Sequence, residues 1–228
     1  MQNEMLIVED LTLLLLDDET GTPSAAGTLH YTLGGALLVE LALLGRVETE
    51  EGTWLQGLKV RAAGDGPLPD PLLQAAFDQV ARKPRGVQAT LLDIGAGLLK
   101  PVTERLIERG HIRRESRKVL GLFNVTRTPA GDTGHEAELR QRVRAALVDG
   151  VEPDARTAAV IALVSASGAL PSLRPALAWS STVARRAKEF EQGNWGAKAV
   201  GDAVSQAAAA IAAASAVTAV TVITTTGS

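Results

Sequence analysis

The sequence predicts a mainly α fold: a single globular domain over residues 1–228, with a central helical bundle surrounded by amphipathic helices, plus small β-hairpins including one that protrudes. Two runs, residues 35–44 and 155–166, are apolar almost throughout and long enough to be helices buried on most sides. Elsewhere apolar residues recur at helical spacing, and strand-like segments occur in only two short, turn-punctuated places. Aromatics make up 3% of the chain against 46% hydrophobic residues, so the core must be built from small aliphatic side chains that favour close helix packing.

Taken in order, residues 5–16 are rich in helix formers and end in Asp17-Asp18-Glu19-Thr20-Gly21, a polar turn closed by glycine. A loop over 22–27 yields to the apolar helix that runs through Leu44, where Gly45 suits a left-handed C-cap. Glu40 is the one carboxylate on that helix. It is expected to pair with a buried donor such as Arg46 or a backbone amide, since burying an unpaired charge is costly. Residues 46–61 read as a hairpin or small meander, and residues 64–71, with three prolines and two glycines, as an exposed connection. Asp70 can cap the helix that follows, whose apolar face is Leu72, Leu73, Ala76, Phe77 and Val80.

Further helices are expected over 87–92 and over 101–109, the latter with proline in its first turn and Gly110 after its end. Residues 111–128 then read as a β-hairpin with an irregular tip. From Glu136 onward the pattern is helical. Leu139, Val143, Ala146 and Leu147 line one face opposite Arg140, Arg142 and Arg144, and a later helix is expected over 175–190 with Arg185, Arg186 and Lys188 near its C-terminus. Residues 203–228 carry no charge, yet their alanines are interleaved with serine and threonine and no basic residue follows. A buried helix with a β-prone end at 217–226 accounts for them better than a membrane span.

Composition and motifs exclude several function classes. A net charge of −3 provides no global attraction to nucleic acid. The absence of cysteine removes thiolate chemistry and fits a reducing, cytoplasmic setting, and the opening residues lack a secretory signal. Gly95-Ala96-Gly97-Leu98-Leu99-Lys100 departs from a dinucleotide fingerprint at its third glycine, and neither a Gly-x-Ser-x-Gly elbow nor a Walker loop is present. His30, His111 and His135 have no ligand spacing, and Asp17-Asp18-Glu19 reads as a solvated turn. No metal, cofactor or enzymatic activity is therefore expected.

Gly35-Ala36-Leu37-Leu38-Val39-Glu40-Leu41-Ala42-Leu43-Leu44-Gly45-Arg46 is similar to a helix-to-strand segment of the Golgi phosphoprotein 3 (GPP34) family. Four further segments resemble landmarks of the family, in the family's order along the chain. The segment 8–21 resembles the opening helix and acidic turn, Arg105-Leu106-Ile107-Glu108-Arg109-Gly110 the helix end before a protruding hairpin, and Phe123-Asn124-Val125-Thr126-Arg127-Thr128-Pro129 that hairpin's second strand. Leu139-Arg140-Gln141-Arg142-Val143 resembles the helix after it. The resemblance implies a peripheral membrane adaptor that binds phosphoinositide or other anionic lipid headgroups, located in the cytoplasm and peripheral on the inner face of a membrane. It also implies homo-oligomer contacts through the hairpin. The abundance of arginine and alanine, together with an altered pocket, points to a bacterial-type member.

The family's headgroup pocket, as the resemblance implies it, uses a tryptophan and three arginines. In this chain those positions fall near Ala25, on Gly34, and near Ala96 and Leu99, with Lys100 the neighbouring cation. A phosphomonoester carries about −1.5 to −2 charge and is held by bidentate guanidinium groups, so that clamp is lost. A substitute stands at the hairpin base. Arg113, Arg114, Arg117 and Lys118 are headgroup candidates together with Lys100, and Leu120, Leu122 and Phe123 are candidate membrane contacts. The alternative is a soluble helical scaffold or self-associating interaction module that kept the fold and lost the pocket.

Overall fold

The computed structural model describes residues 4–18, 20–51, 58–119, 123–127, 129–173, 177–193, 204–207 and 209; for residues 51, 58, 116–119 and 123–127 it describes backbone alone. Three helices form the centre: α1 (Ile7–Leu15), α2 (Leu29–Leu43) and, later in the chain, α7 (Ala155–Ala166). Every residue of α1 is buried, and α7 keeps nine buried residues. These are the segments whose sequences leave no polar face to present to water. Between α2 and α7 come β1 (Val47–Glu51), β2 (Leu58–Ala62), α3 (Pro71–Arg82), β3 (Arg85–Gly86), α4 (Val87–Gly95), α5 (Leu99–Glu108), β4 (Glu115–Val119), β5 (Phe123–Arg127) and α6 (Gly134–Arg144). A π-helical turn, Ala145–Asp149, follows α6, and α8 (Ser181–Glu191) packs against α7. The mainly helical expectation is therefore met.

Strands β1, β2 and β3 make a small antiparallel sheet, with Thr49 opposite Val60 and Val60 opposite Arg85. The third strand is two residues long and carries no alternation, so only tertiary pairing reveals it. Strands β4 and β5 form a separate hairpin, with Arg117 opposite Val125 and Val119 opposite Phe123.

Local signals set most boundaries. Gly45 takes a φ of 65° after α2, and the amides of Arg46 and Gly45 bond the Leu41 and Ala42 carbonyls at 2.8 and 3.0 Å, a Schellman closure. Gly110 does the same after α5, with the His111 amide donating to the Leu106 carbonyl. Asp70 caps α3 by accepting from the Leu72 amide at 2.9 Å. Leu139, Val143, Ala146 and Leu147 are all buried, although the helix they line passes from α to π geometry at Ala145.

Two helix boundaries need correction. Helix α8 begins at Ser181, where the Ser180 hydroxyl accepts from the Val183 amide at 3.2 Å, so residues 177–180 are not helical. Helix α4 extends to Gly95 because tight packing on α2 sustains it. Glu40 does find buried donors, as expected: it accepts the Ile7 backbone amide at 2.6 Å, and its guanidinium partner is Arg156 from α7 rather than Arg46. Arg46 instead bonds the carbonyls of Ala63 and Gly66 and lies over the Phe77 ring, 4.5 Å from its centre. Residues 204–207 are helical, with Val204 and Ala207 buried, while the β-prone end expected at 217–226 lies outside the described residues. Among the described residues, no helix is long and apolar enough to cross a membrane.

Candidate functional site

An open cleft of about 590 Å³ lies where the acidic turn, the start of α2, the α4–α5 connection and the hairpin base converge. Its walls are mostly apolar: Leu16 from the end of α1, Leu29 and Leu33 from α2, and Leu99 and Ile107 from α5. His30, Lys100, Thr103, Glu104 and Arg114 contribute the polar groups. Lys100 is exposed, and among the described residues no hydrogen bond or ion pair engages its ammonium. Arg114 is exposed too, but its guanidinium pairs with the Glu104 carboxylate.

Gly34 explains why one arm of the clamp implied by the resemblance, the arginine expected at its position, has no room here. A Cβ at Gly34 would collide with the Leu91 carbonyl oxygen, and one at Gly95 with the His30 carbonyl oxygen. Helices α2 and α4 therefore cross in backbone contact, and no side chain fits between them. Ala25, near the expected tryptophan, has a φ of 52°, a left-handed conformation that strains a residue with a Cβ.

Arg113 stands beside the cleft rather than in it. Its Nε donates to the Ala130 carbonyl at 3.2 Å, its backbone amide bonds the Pro129 carbonyl, and its side chain is exposed. The Ala130 amide in turn bonds the Asp18 carbonyl at 3.0 Å, which ties the hairpin base to the acidic turn. Arg117, Lys118 and Phe123 lie in β4 and β5 and are described by backbone alone, while Leu120 and Leu122 lie outside the described residues. The sequence from 113 to 127 holds five cations against one carboxylate, Glu115.

Behind this surface lies a charge network that sequence reasoning missed. Glu9 is fully buried on α1; it caps its own helix through the Leu6 amide and accepts from Arg105 Nε at 2.9 Å, with Arg109 Nε 3.5 Å away. Asp10 accepts from His135 Nε2 at 2.6 Å, and Arg156 reaches both Glu40 and the Met5 carbonyl. Burial raises the Asp10, Glu40 and Glu136 carboxyls above their ordinary values, with nearby cations pulling part of the way back. Burial works against the charge of Arg105, yet Asp70 and Glu9 outweigh it and raise its pKa. The only signal for this network in the sequence was acidic residues inside an apolar helix. The fold also brings His111 and His135 together, their ring centres 5.7 Å apart, which the linear spacing did not reveal.

Residues 7–207 match the sequence model of the family described as Golgi phosphoprotein 3 (GPP34). The chain belongs to the GPP34 family. The match spans the central helices, both β elements and the cleft, so the Gly34–Gly95 crossing and the hairpin-base cations of this chain lie within its GPP34 domain.

Proposed function

We propose that this GPP34 chain, a bacterial-type member forming a single domain over residues 1–228, is a peripheral membrane adaptor that binds anionic lipid headgroups through the base of its protruding hairpin. Lys100, Arg113 and Arg114 form the fixed part of the cationic face, and Arg117 and Lys118 extend it along β4. Leu120, Leu122 and Phe123 are its apolar contacts. The observation that carries this reading is the exposure of Lys100 and Arg114 at one cleft mouth with Arg113 exposed beside it, the two arginines opening a segment, 113–127, with five cations and one carboxylate. Each well-placed basic residue contributes about 1 kcal/mol at an anionic leaflet. Because α2 and α4 close the site expected for a guanidinium, recognition runs on summed charge rather than on a clamp for one phosphomonoester.

Co-sedimentation of the full chain with neutral, anionic and phosphoinositide-containing vesicles tests this. Pelleting with anionic vesicles at low salt, weakening as salt screens the attraction, is expected, and phosphoinositide should add no more than its charge. No lipid-dependent pelleting at low salt contradicts it. The second reading, a soluble self-associating module, draws on the same Gly34–Gly95 closure, and predicts a smaller particle on sizing when residues 115–127 are deleted.

A further inference from the structure

We infer that the cleft takes a single-chain monoanionic amphiphile of the long-chain fatty carboxylate class, its chain laid along the apolar walls and its head at Lys100. This shares Lys100 and Arg114 with the membrane reading, and rests on it only in treating the cleft mouth as a lipid-facing surface.

The cleft's size and lining carry the first half of the inference. About 590 Å³ lies within the roughly 300–1,000 Å³ usual for small-molecule sites, and such sites are mostly apolar with a few orienting polar groups. Here three helices contribute apolar lining, Leu16 at the end of α1, Leu29 and Leu33 on α2, and Leu99 and Ile107 on α5. Gly95 and Gly97 add no side chain to interrupt it. A headgroup alone would leave that wall wetted, whereas an alkyl chain covers it.

Charge carries the second half. Arg114 is engaged by Glu104, so among the described residues lining the cleft one cationic side chain, the Lys100 ammonium, is unengaged. One negative charge is balanced there. A phosphomonoester brings about −1.5 to −2 and would meet the Glu104 carboxylate with no guanidinium left to compensate. A carboxylate head needs only Lys100, with the Thr103 hydroxyl on the next turn of α5 as a neighbouring donor.

The test uses the full chain without vesicles and follows the fluorescence of bound cis-parinarate, displaced by octanoate, decanoate and dodecanoate. Each added methylene should strengthen displacement about fourfold, the equivalent of ~0.8 kcal/mol, until the cleft is filled. Dodecanoate should outcompete both dodecanol and dodecyl phosphate. Ala26→Trp fills the cleft from its exposed loop and should abolish binding while leaving every cation in place; Lys100→Glu should weaken it about tenfold or more. If Ala26→Trp shifts the melting temperature, Thr103→Phe blocks the cleft from the opposite wall.

Absence of parinarate binding, binding unchanged in both cleft variants, or tighter binding of dodecyl phosphate than of dodecanoate would overturn the inference. The two proposals fail separately, because Ala26→Trp leaves vesicle pelleting by the cationic face intact, while Arg113→Glu weakens pelleting and leaves parinarate binding unchanged.

Discussion

Around α1 the arginines turn inward: Arg105 and Arg109 converge on the buried Glu9, and Arg156 joins Glu40 to the Met5 carbonyl. At the hairpin base they turn outward, with Arg113 holding a backbone carbonyl and Arg114 pairing on the surface with Glu104. The same side chain does two jobs, and burial decides which. An ion pair removed from water collapses expensively when one partner is lost, because the other remains as an uncompensated buried charge. A surface pair is screened and contributes ~0–1 kcal/mol, so its loss is felt by a partner rather than by the fold.

The largest effects should therefore fall on the inner network. Glu9→Ala leaves Arg105 and Arg109 facing a cavity and should destabilise the chain by about 3–5 kcal/mol in urea unfolding. A loss under about 1 kcal/mol would show that the network is not what anchors α1. Next comes the crossing of α2 and α4. Gly34→Ala should cost about 1–3 kcal/mol, since its Cβ meets the Leu91 carbonyl oxygen rather than a movable side-chain tip. A neutral result would mean that the helices part readily and that the expected clamp site is open after all.

A smaller effect separates the two regions by pH. A carboxyl whose pKa is raised in the folded chain binds its proton more readily there than in the unfolded chain. The contribution of Asp10, Glu40 and Glu136 to stability is then fullest at low pH and is lost as pH rises from the ordinary carboxylate value through the raised ones. Urea midpoints across that window, compared with Asp10→Asn, Glu40→Gln and Glu136→Gln combined, should differ more in favour of the native chain as pH falls. The opposite trend would mean that the cations, not burial, dominate these groups.

The fold was largely legible because α1, α2 and α7 are apolar enough to be read as central helices, and because Asp70 marks the start of α3 and Gly45 and Gly110 the ends of α2 and α5 chemically. The charged partner of Glu40 was not legible. Arg156 is 116 residues away, and no local spacing distinguishes it from Arg46. For the same reason β3, two residues that pair only across space, left no pattern to read. At the site, Arg113 and Arg114 could be singled out as cations at a hairpin base and Lys100 as the cation beside the implied clamp positions. What could not be read was that Gly34 and Gly95 seal one another, a property of two backbones meeting rather than of either residue.

The smallest effect on the fold is also the most direct test of the account. Arg113→Glu combined with Arg114→Glu, measured side by side for anionic-vesicle pelleting at low salt and for urea unfolding, should cut vesicle binding about tenfold or more. The unfolding free energy should move by no more than about 1 kcal/mol. Unchanged pelleting, or a loss of stability as large as that of Glu9→Ala, would contradict the division between arginines that hold the fold and arginines that meet the membrane.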